Sequence, residues 1–278
     1  MTARARLMSW SFELDRAARA FWILREELAF RTFTERDWLD LGRTLYSRAT
    51  RYSEGSDHNE SGLFAFECDA IEFAFPPPPA AILIGACGGG REIFGLLERG
   101  YRIAAAYDPV ERFIDALRED PRLREVRDRL CVGAHQTFES LPQLSLLKET
   151  GTPVDAVVVG WGSYTHLRGA ARRVEFLRSL RRLCPTGPVL LSFHIEVGEE
   201  PERVARLRAR LRRYLGTPSW MVEVGDGVNR GQGAVHRFKE AALASEATTA
   251  GYRVQRWQEY DFGAAYAILI PEMLSERP

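Results

Sequence analysis

The sequence is short of several things, and each shortage excludes a class of protein. Net charge is missing: 38 Lys and Arg balance 38 Asp and Glu over 278 residues. A neutral chain has no overall field to draw in nucleic acid or an anionic membrane. Paired cysteines are missing too. Cys68, Cys87, Cys131 and Cys184 lie far apart with no CxxC, which fits neither a zinc site nor a secreted disulfide framework. No apolar run approaches the ~20 residues that span a bilayer. No apolar segment follows the basic N-terminus as it would in a secretory signal. Reduced thiols and a cytoplasmic location are the expectation. Lysine is scarce, with Lys148 and Lys239 the only two among 38 cations. That skew reads as compositional bias, not as a nucleic-acid footprint. The sequence shows no carboxylate cluster of the kind magnesium requires, and no metal is expected.

What remains is ordinary globular material, 45% hydrophobic and 27% charged, long enough for one large domain or two small ones. Residues 1–79 read as a helical extension or cap. Leu14, Ala18, Phe21, Leu24 and Leu28 share one helical stripe, and Trp38, Leu41 and Leu45 a second. Tyr52 to Ser61 reads as a loop, and Leu63 to Phe73 as a short helix. Four prolines at 76–79 end the segment, because proline cannot continue a helix.

From residue 80 the period changes. Apolar runs at 80–85, 101–107, 130–134, 154–159 and 188–193 suit buried parallel strands. Helical patterns lie between them at 91–99, 109–117 and 169–183, with a charged helical stretch at 121–130. This alternation predicts an α/β fold, an open, mostly parallel sheet covered on both faces. Residues 199–216 carry an Arg-rich amphipathic helix, read as a solvated face. A glycine-punctuated loop follows at 216–233, with Trp220 and Met221 in it; together 198–235 form an insertion that could act as a lid. A helix is expected at 236–250. Tyr252 to Tyr260 and Ala264 to Ile270 are strand-like runs a few residues apart, which permits an antiparallel hairpin and no parallel crossover.

The most informative segment is 82–109, ILIGACGGGREIFGLLERGYRIAAAYDP. A strand runs into Gly85-Ala86-Cys87-Gly88-Gly89-Gly90, then a helix, then a strand ending in Asp108 before Pro109. Such a turn brings a ligand to a helix N-terminus at the carboxyl end of the first strand. A carboxylate at the end of the next strand is placed to accept both hydroxyls of a ribose. Read as a dinucleotide fingerprint, the motif puts Cys87 where backbone should meet a pyrophosphate, which counts against an NAD(P)-dependent oxidoreductase.

With those residues the segment resembles the first motif of the class I S-adenosylmethionine (SAM)-dependent methyltransferases, GxGxG with Cys87 at the middle glycine. Leu83 departs from the acid often found two residues before the first glycine. The resemblance spans about residues 80–270. It implies a three-layer sandwich around a Rossmann-like seven-stranded sheet whose last strand enters antiparallel, and a SAM-binding domain at 80–278. It implies SAM as cofactor, held by Gly85, Ala86, Cys87, Gly89, Asp108 and Pro109. By position in the family, Gln136 (with His135 stacking), Gly160, Trp161 and Tyr52 join them. The reaction implied is methyl transfer to an O or N atom of a small molecule, natural products included, or of a peptide. Much of that chemistry is positioning, but such an atom can require a base, and histidine is the usual one. Of His58, His135, His166, His194 and His236, His166 and His194 follow the fourth and fifth strands and are the candidates. A catalytically silent SAM-fold binding subunit is the third reading. Neither the acceptor nor the oligomeric state is legible.

Overall fold

The computed structural model describes residues 3–272 other than 54, 199, 219, 220, 261 and 262. Its helices are α1 (Ala3–Thr32), α2 (Glu35–Arg48), α3 (Asp57–Glu60), α4 (Ala65–Ala74), α5 (Arg91–Glu98), α6 (Glu111–Glu119), α7 (Pro142–Thr150), α8 (Ala170–Leu183), α9 (Glu202–Leu215) and α10 (Glu240–Thr249). Its strands are β1 (Ala81–Gly85), β2 (Arg102–Asp108), β3 (Leu130–Val132), β4 (Ala156–Val159), β5 (Val189–His194), β6 (Asp226–Asn229), β7 (Gly233–His236), β8 (Tyr252–Tyr260) and β9 (Ala264–Pro271).

Seven strands form one sheet in the order β3-β2-β1-β4-β5-β9-β8. β1 is apolar and buried along its whole length, as a central strand covered on both faces must be. Its side chains alternate: Leu83 enters one core, Ile82 and Ile84 the other. β9 runs antiparallel to both neighbours, β5 and β8; the other six strands point one way. The expected terminal hairpin is therefore present, folded so that the last strand fills the gap between β5 and β8. The α/β sandwich read from the sequence is the observed fold.

Several local expectations differ. Residues 121–130 make two 3-10 turns, Pro121–Leu123 and Arg127–Arg129, instead of a helix. Before Leu130, where β3 begins, only Leu123 and Val126 turn inward, too few to pay for a longer element. Residues 142–150, unassigned from sequence, are helical, with Leu144 and Leu147 inward. The 216–233 loop contains β6, which pairs with β7 in a hairpin. The helix expected from 236 starts at Glu240 because residues 233–236 belong to that hairpin. Trp220 lies outside the described residues.

α1 is a helix as expected, but its stripe points the other way. Leu14 and Phe21 are 66% and 68% exposed. The face turned inward carries Ile23, Glu26, Glu27 and Phe30. The two acids are buried because α9 supplies their counterions. Arg208 bonds Glu26 at 2.6 Å and Glu27 at 2.9 Å, and Arg212 bonds Glu27 at 2.8 Å. Two of the Arg-rich helix's cations thus face protein, not solvent. Phe30 and Trp38 meet Val222 and Ala234 in a small separate core. The N-terminal segment and the insertion therefore pack on each other across the carboxyl edge of the sheet.

Candidate active site

The carboxyl edge of β1, β2 and β4 is drawn together by close backbone approaches. Gly160, just after β4, donates its N–H to the Gly85 carbonyl at 2.8 Å. A Cβ at Gly160 would stand 2.6 Å from the Ala86 carbonyl oxygen, so only glycine fits without displacing the loop. Ala86 itself holds φ 55, a left-handed conformation costly for a residue with a side chain.

The side chains of the loop point in different directions. Cys87 is buried at 1% exposure in the core beneath, among residues such as Ile84 and Ile93. Burial pushes its thiol well above the ordinary value. The middle position of the motif therefore presents backbone, not a side chain, to the cleft. Gly88 has open space where a Cβ would be, whereas Gly89 faces the Asn59 side chain and the Tyr52 carbonyl. Asn59 in turn donates to the Tyr52 and Ser53 carbonyls. Residues 52–59 thus roof that end of the loop.

Asp108 ends β2 with both oxygens engaged by backbone. Gly88 N–H donates to Oδ2 at 2.9 Å and Val110 N–H to Oδ1 at 2.8 Å. Each oxygen keeps capacity for another donor. Burial raises its pKa to about 6, against the lowering by those two N–H groups.

The next wall is a directed chain of hydrogen bonds. Ser163 donates to the Gly160 carbonyl, so its oxygen accepts from His135 Nε2 at 3.1 Å. His135 Nδ1 then accepts from the Tyr107 hydroxyl at 2.8 Å. Burial depresses His135 to about 3, and the ring stays neutral. This fixes the ends of β2, β3 and β4 relative to one another. Gln136 spends its amide N–H on the His166 carbonyl.

α2 lies over the cleft. Thr34 and Asp37 form a capping box at its start, which fixes where the helix begins. Arg43 donates to the Pro109 carbonyl at 3.1 Å, and the Tyr46 hydroxyl meets His166 Nε2 at 2.9 Å. His166 Nδ1 faces the Ala234 carbonyl at 3.1 Å. A carbonyl only accepts, so Nδ1 carries the proton and Nε2 accepts from Tyr46. Burial lowers His166 to about 4 and raises the Tyr46 hydroxyl. Between α2 and the sheet edge remains a slit of about 70 Å³, lined by Ala86, Pro109, His135, Gln136, His166 and Tyr46 among others. That is room for only a few waters.

His194, at the end of β5, lies apart from the slit, on a second, open groove of about 1650 Å³ between α9, the β6–β7 hairpin and the β5–β9–β8 edge. Its Nε2 is buried beside the Gln232 side chain at the hairpin tip, which raises His194 against the lowering by burial. Trp161 packs on Phe64 and His58, with the Arg51 guanidinium 5.0 Å over its ring.

Of the residues named from sequence, the structure brings Ala86, Pro109, Gln136 and His166 into the slit, with Asp108 buried beside Pro109 and bonded to the Gly88 N–H. Gly85 and Gly160 form the backbone contact beneath it. Tyr52 and Trp161 sit at the roofed end of the loop, and His194 lines the open groove beside Gln232. Sequence reasoning missed Tyr46 as a partner of His166, Gln232 and Arg51. Gln232 had a local signal: Asn229 Oδ1 accepts from Gly231 N–H at 2.9 Å, a side-chain turn characteristic of short hairpins. Glu223, Asp226 and His236 also gather within reach of one another. Arg173 bonds Glu223 at 2.8 Å and His236 bonds Asp226 at 2.8 Å, so this cluster pins the hairpin to α8.

No protein-family model matches the chain, and no curated protein matches it in sequence. Solved structures do match. The 1,6-didemethyltoxoflavin-N1-methyltransferase of Burkholderia thailandensis is 15% identical, with a TM-score of 0.55 over 87% of this chain and 92% of that one. The CcbJ methyltransferase of Streptomyces caelestis is 12% identical, with a TM-score of 0.53 over 83% and 99%. A SAM-dependent methyltransferase of Bacteroides fragilis, in complex with S-adenosylhomocysteine, is 17% identical, with a TM-score of 0.51 over 76% and 78%. Strand order, the inverted β9 and these likenesses together give the chain the fold of the class I SAM-dependent methyltransferases.

Proposed function

We propose that the protein is a SAM-dependent methyltransferase that methylates an O or N atom of a small molecule or peptide. The observation that carries the reading is Asp108, bonded to Gly88 N–H at the carboxyl edge of a sheet in which β9 is inverted. A nicotinamide-type Rossmann sheet has a parallel strand order throughout.

The residues present fit the cofactor. Asp108 would accept the ribose hydroxyls, the open side of Gly88 admits the ligand, and Pro109 and Gln136 would flank the adenine. Arg51, beside Trp161, would hold the carboxylate of the amino-acid part, since a guanidinium matches that group. Gly85, Ala86, Cys87 and Gly89 would shape the loop through backbone alone. Tyr52 would close it from above. Residues 1–79 serve as the cap, 80–278 as the SAM-binding domain and 198–235 as part of the lid. The slit is smaller than a nucleoside, so α2 must swing outward to admit one.

When bound, the cofactor supplies a methyl group activated on a sulfonium. The chain's own residues position the acceptor and hold its proton. An acceptor hydroxyl or amine at the Tyr46 oxygen would pass its proton to Tyr46 as Tyr46 passes its own to His166 Nε2. With His166 held near pH 4, that relay is a weak base, and orientation does most of the work. His194 on the groove and Gln232 on the slit, side by side, would meet polar groups of the acceptor where the groove meets the slit. The neutral charge favours a small molecule or peptide over nucleic acid or membrane as the partner, in a cytoplasmic setting.

Calorimetry with S-adenosylhomocysteine and with NAD⁺ tests the reading. Binding of the first and not the second is expected. Asp108→Ala should weaken it by roughly ten- to a hundredfold, because bonds to a charged acceptor are worth ~1.5–3 kcal/mol. Affinity should also fall as pH drops through about 6, where Asp108 takes up a proton. No affinity for S-adenosylhomocysteine would overturn the assignment.

A further inference from the structure

Residues 10–28 of α1 carry an apolar repeat that the described residues leave largely uncovered. Trp10, Leu14, Ala17, Phe21, Leu24 and Leu28 follow one another at alternating steps of four and three, the a/d spacing of a coiled-coil seam. Trp10, Leu14, Phe21 and Leu28 are 72%, 66%, 68% and 40% exposed. α1 is 30 residues long, about 45 Å. Among its described side chains none before Ile23 is buried. The described side chains of the helix before Ile23 gain no burial from their own domain, yet isolated helices are marginal in water.

We infer that this face is covered by a second copy of the chain, with its α1 running antiparallel. The pairing is self-complementary in a single register. Trp10 meets Leu28 of the other copy, Leu14 meets Leu24, and Ala17 meets Phe21, so every seam residue has an opposite number. The smallest side chain then faces a large ring. A parallel pairing would set alanine against alanine and phenylalanine against phenylalanine, leaving a gap in one layer and crowding in the next. The area suffices. An aromatic side chain covers ~150–250 Å² when buried. Two aromatics, the leucines and the flanking alanines bring the face toward the ~800 Å² per partner of a stable association. A lipid surface suits the face less well. A membrane-surface helix needs a broad apolar face opposite a basic one. Here the stripe is narrow, and Glu13 and Asp15 interrupt the arginines.

Sedimentation velocity on the full chain tests this, independently of the methyltransferase assignment. A dimer is expected at tens of micromolar. Leu14→Glu with Phe21→Glu should give a monomer whose unfolding midpoint, measured at a concentration where the parent is also monomeric, is unchanged. Chains with Leu14→Cys and with Leu24→Cys, each in a Cys68→Ser background, should form disulfide-linked dimers when mixed and oxidised, and not separately. Self-cross-linking of Leu14→Cys would overturn the antiparallel register. A wild-type chain that stays monomeric overturns the inference. So does a monomer that sediments with phosphatidylcholine–phosphatidylserine vesicles and loses that binding with Phe21→Glu, which would assign the face to lipid.

Discussion

The sheet and its cap are held by different physics. In the sheet, β1, β4 and β5 bury nearly every side chain against apolar neighbours on both faces. In the cap, one small apolar cluster of Phe30, Trp38, Val222 and Ala234 is supplemented by ions: Glu26 and Glu27 against Arg208 and Arg212. Apolar burial is non-directional and tolerates small adjustments. A buried ion pair holds only in good geometry and is costly to break on one side. The difference suits a rigid floor beneath a cover that opens as a unit.

The contrast can be broken most severely from the floor. Leu191→Ala, in the fully buried centre of β5, should lower global stability by about 4 kcal/mol, seen in urea unfolding of every region together. Arg208→Ala leaves Glu26 and Glu27 buried without it. It should cost about 3 kcal/mol, but locally. Hydrogen exchange should speed up in α1, α2 and α9 while β1 and β4 keep their protection. Equal loss of protection in the sheet would show that the two regions are one cooperative unit.

Acid should separate the regions next. His58 and His166 are lowered to about 4, and His135 to about 3, by burial. The unfolded chain takes up those protons first, near pH 6.5, so stability falls as pH drops from there toward 4. Asp108 has the opposite sign, since its folded value of about 6 lies above the unfolded one, and it offsets part of the loss. With His58 in the cap and His166 beneath it, exchange in α2 should accelerate before exchange in β4. The smallest effect is expected from Glu35→Gln, which removes the pairs of half-exposed Glu35 with Arg172 and, at 3.8 Å, with Arg168. It should change α2 protection by no more than ~0.5 kcal/mol.

Legibility from sequence follows the same division. The floor was readable because its information is local. Strand, glycine turn, helix, strand and Asp108 follow one another within 82–109, and an apolar run such as 156–159 identifies itself. The cap was not. A period of apolar residues in α1 shows that a face exists, not what covers it. Glu26 and Glu27 turn inward only because Arg208, 181 residues beyond Glu27, arrives to meet them. The hairpin strands are four residues each, the shortest length at which alternation is informative. Tyr46 could be seen in its helix, but its pairing with His166, 120 residues away, could not.

That separation in sequence has a consequence in time. Ribosomes add ~5–20 residues per second. The counterions of Glu26 and Glu27, 181 residues later in the case of Arg208, are therefore made roughly ten to forty seconds after the acids themselves. Until then α1 and α2 have neither their ion pairs nor the Val222 and Ala234 side of their core. A segment made before the sheet therefore finds its place after it. A chain stalled or truncated before the hairpin would leave two acids, an aromatic cluster and the floor of the cleft bare together, an early product for chaperones and proteases to recognise.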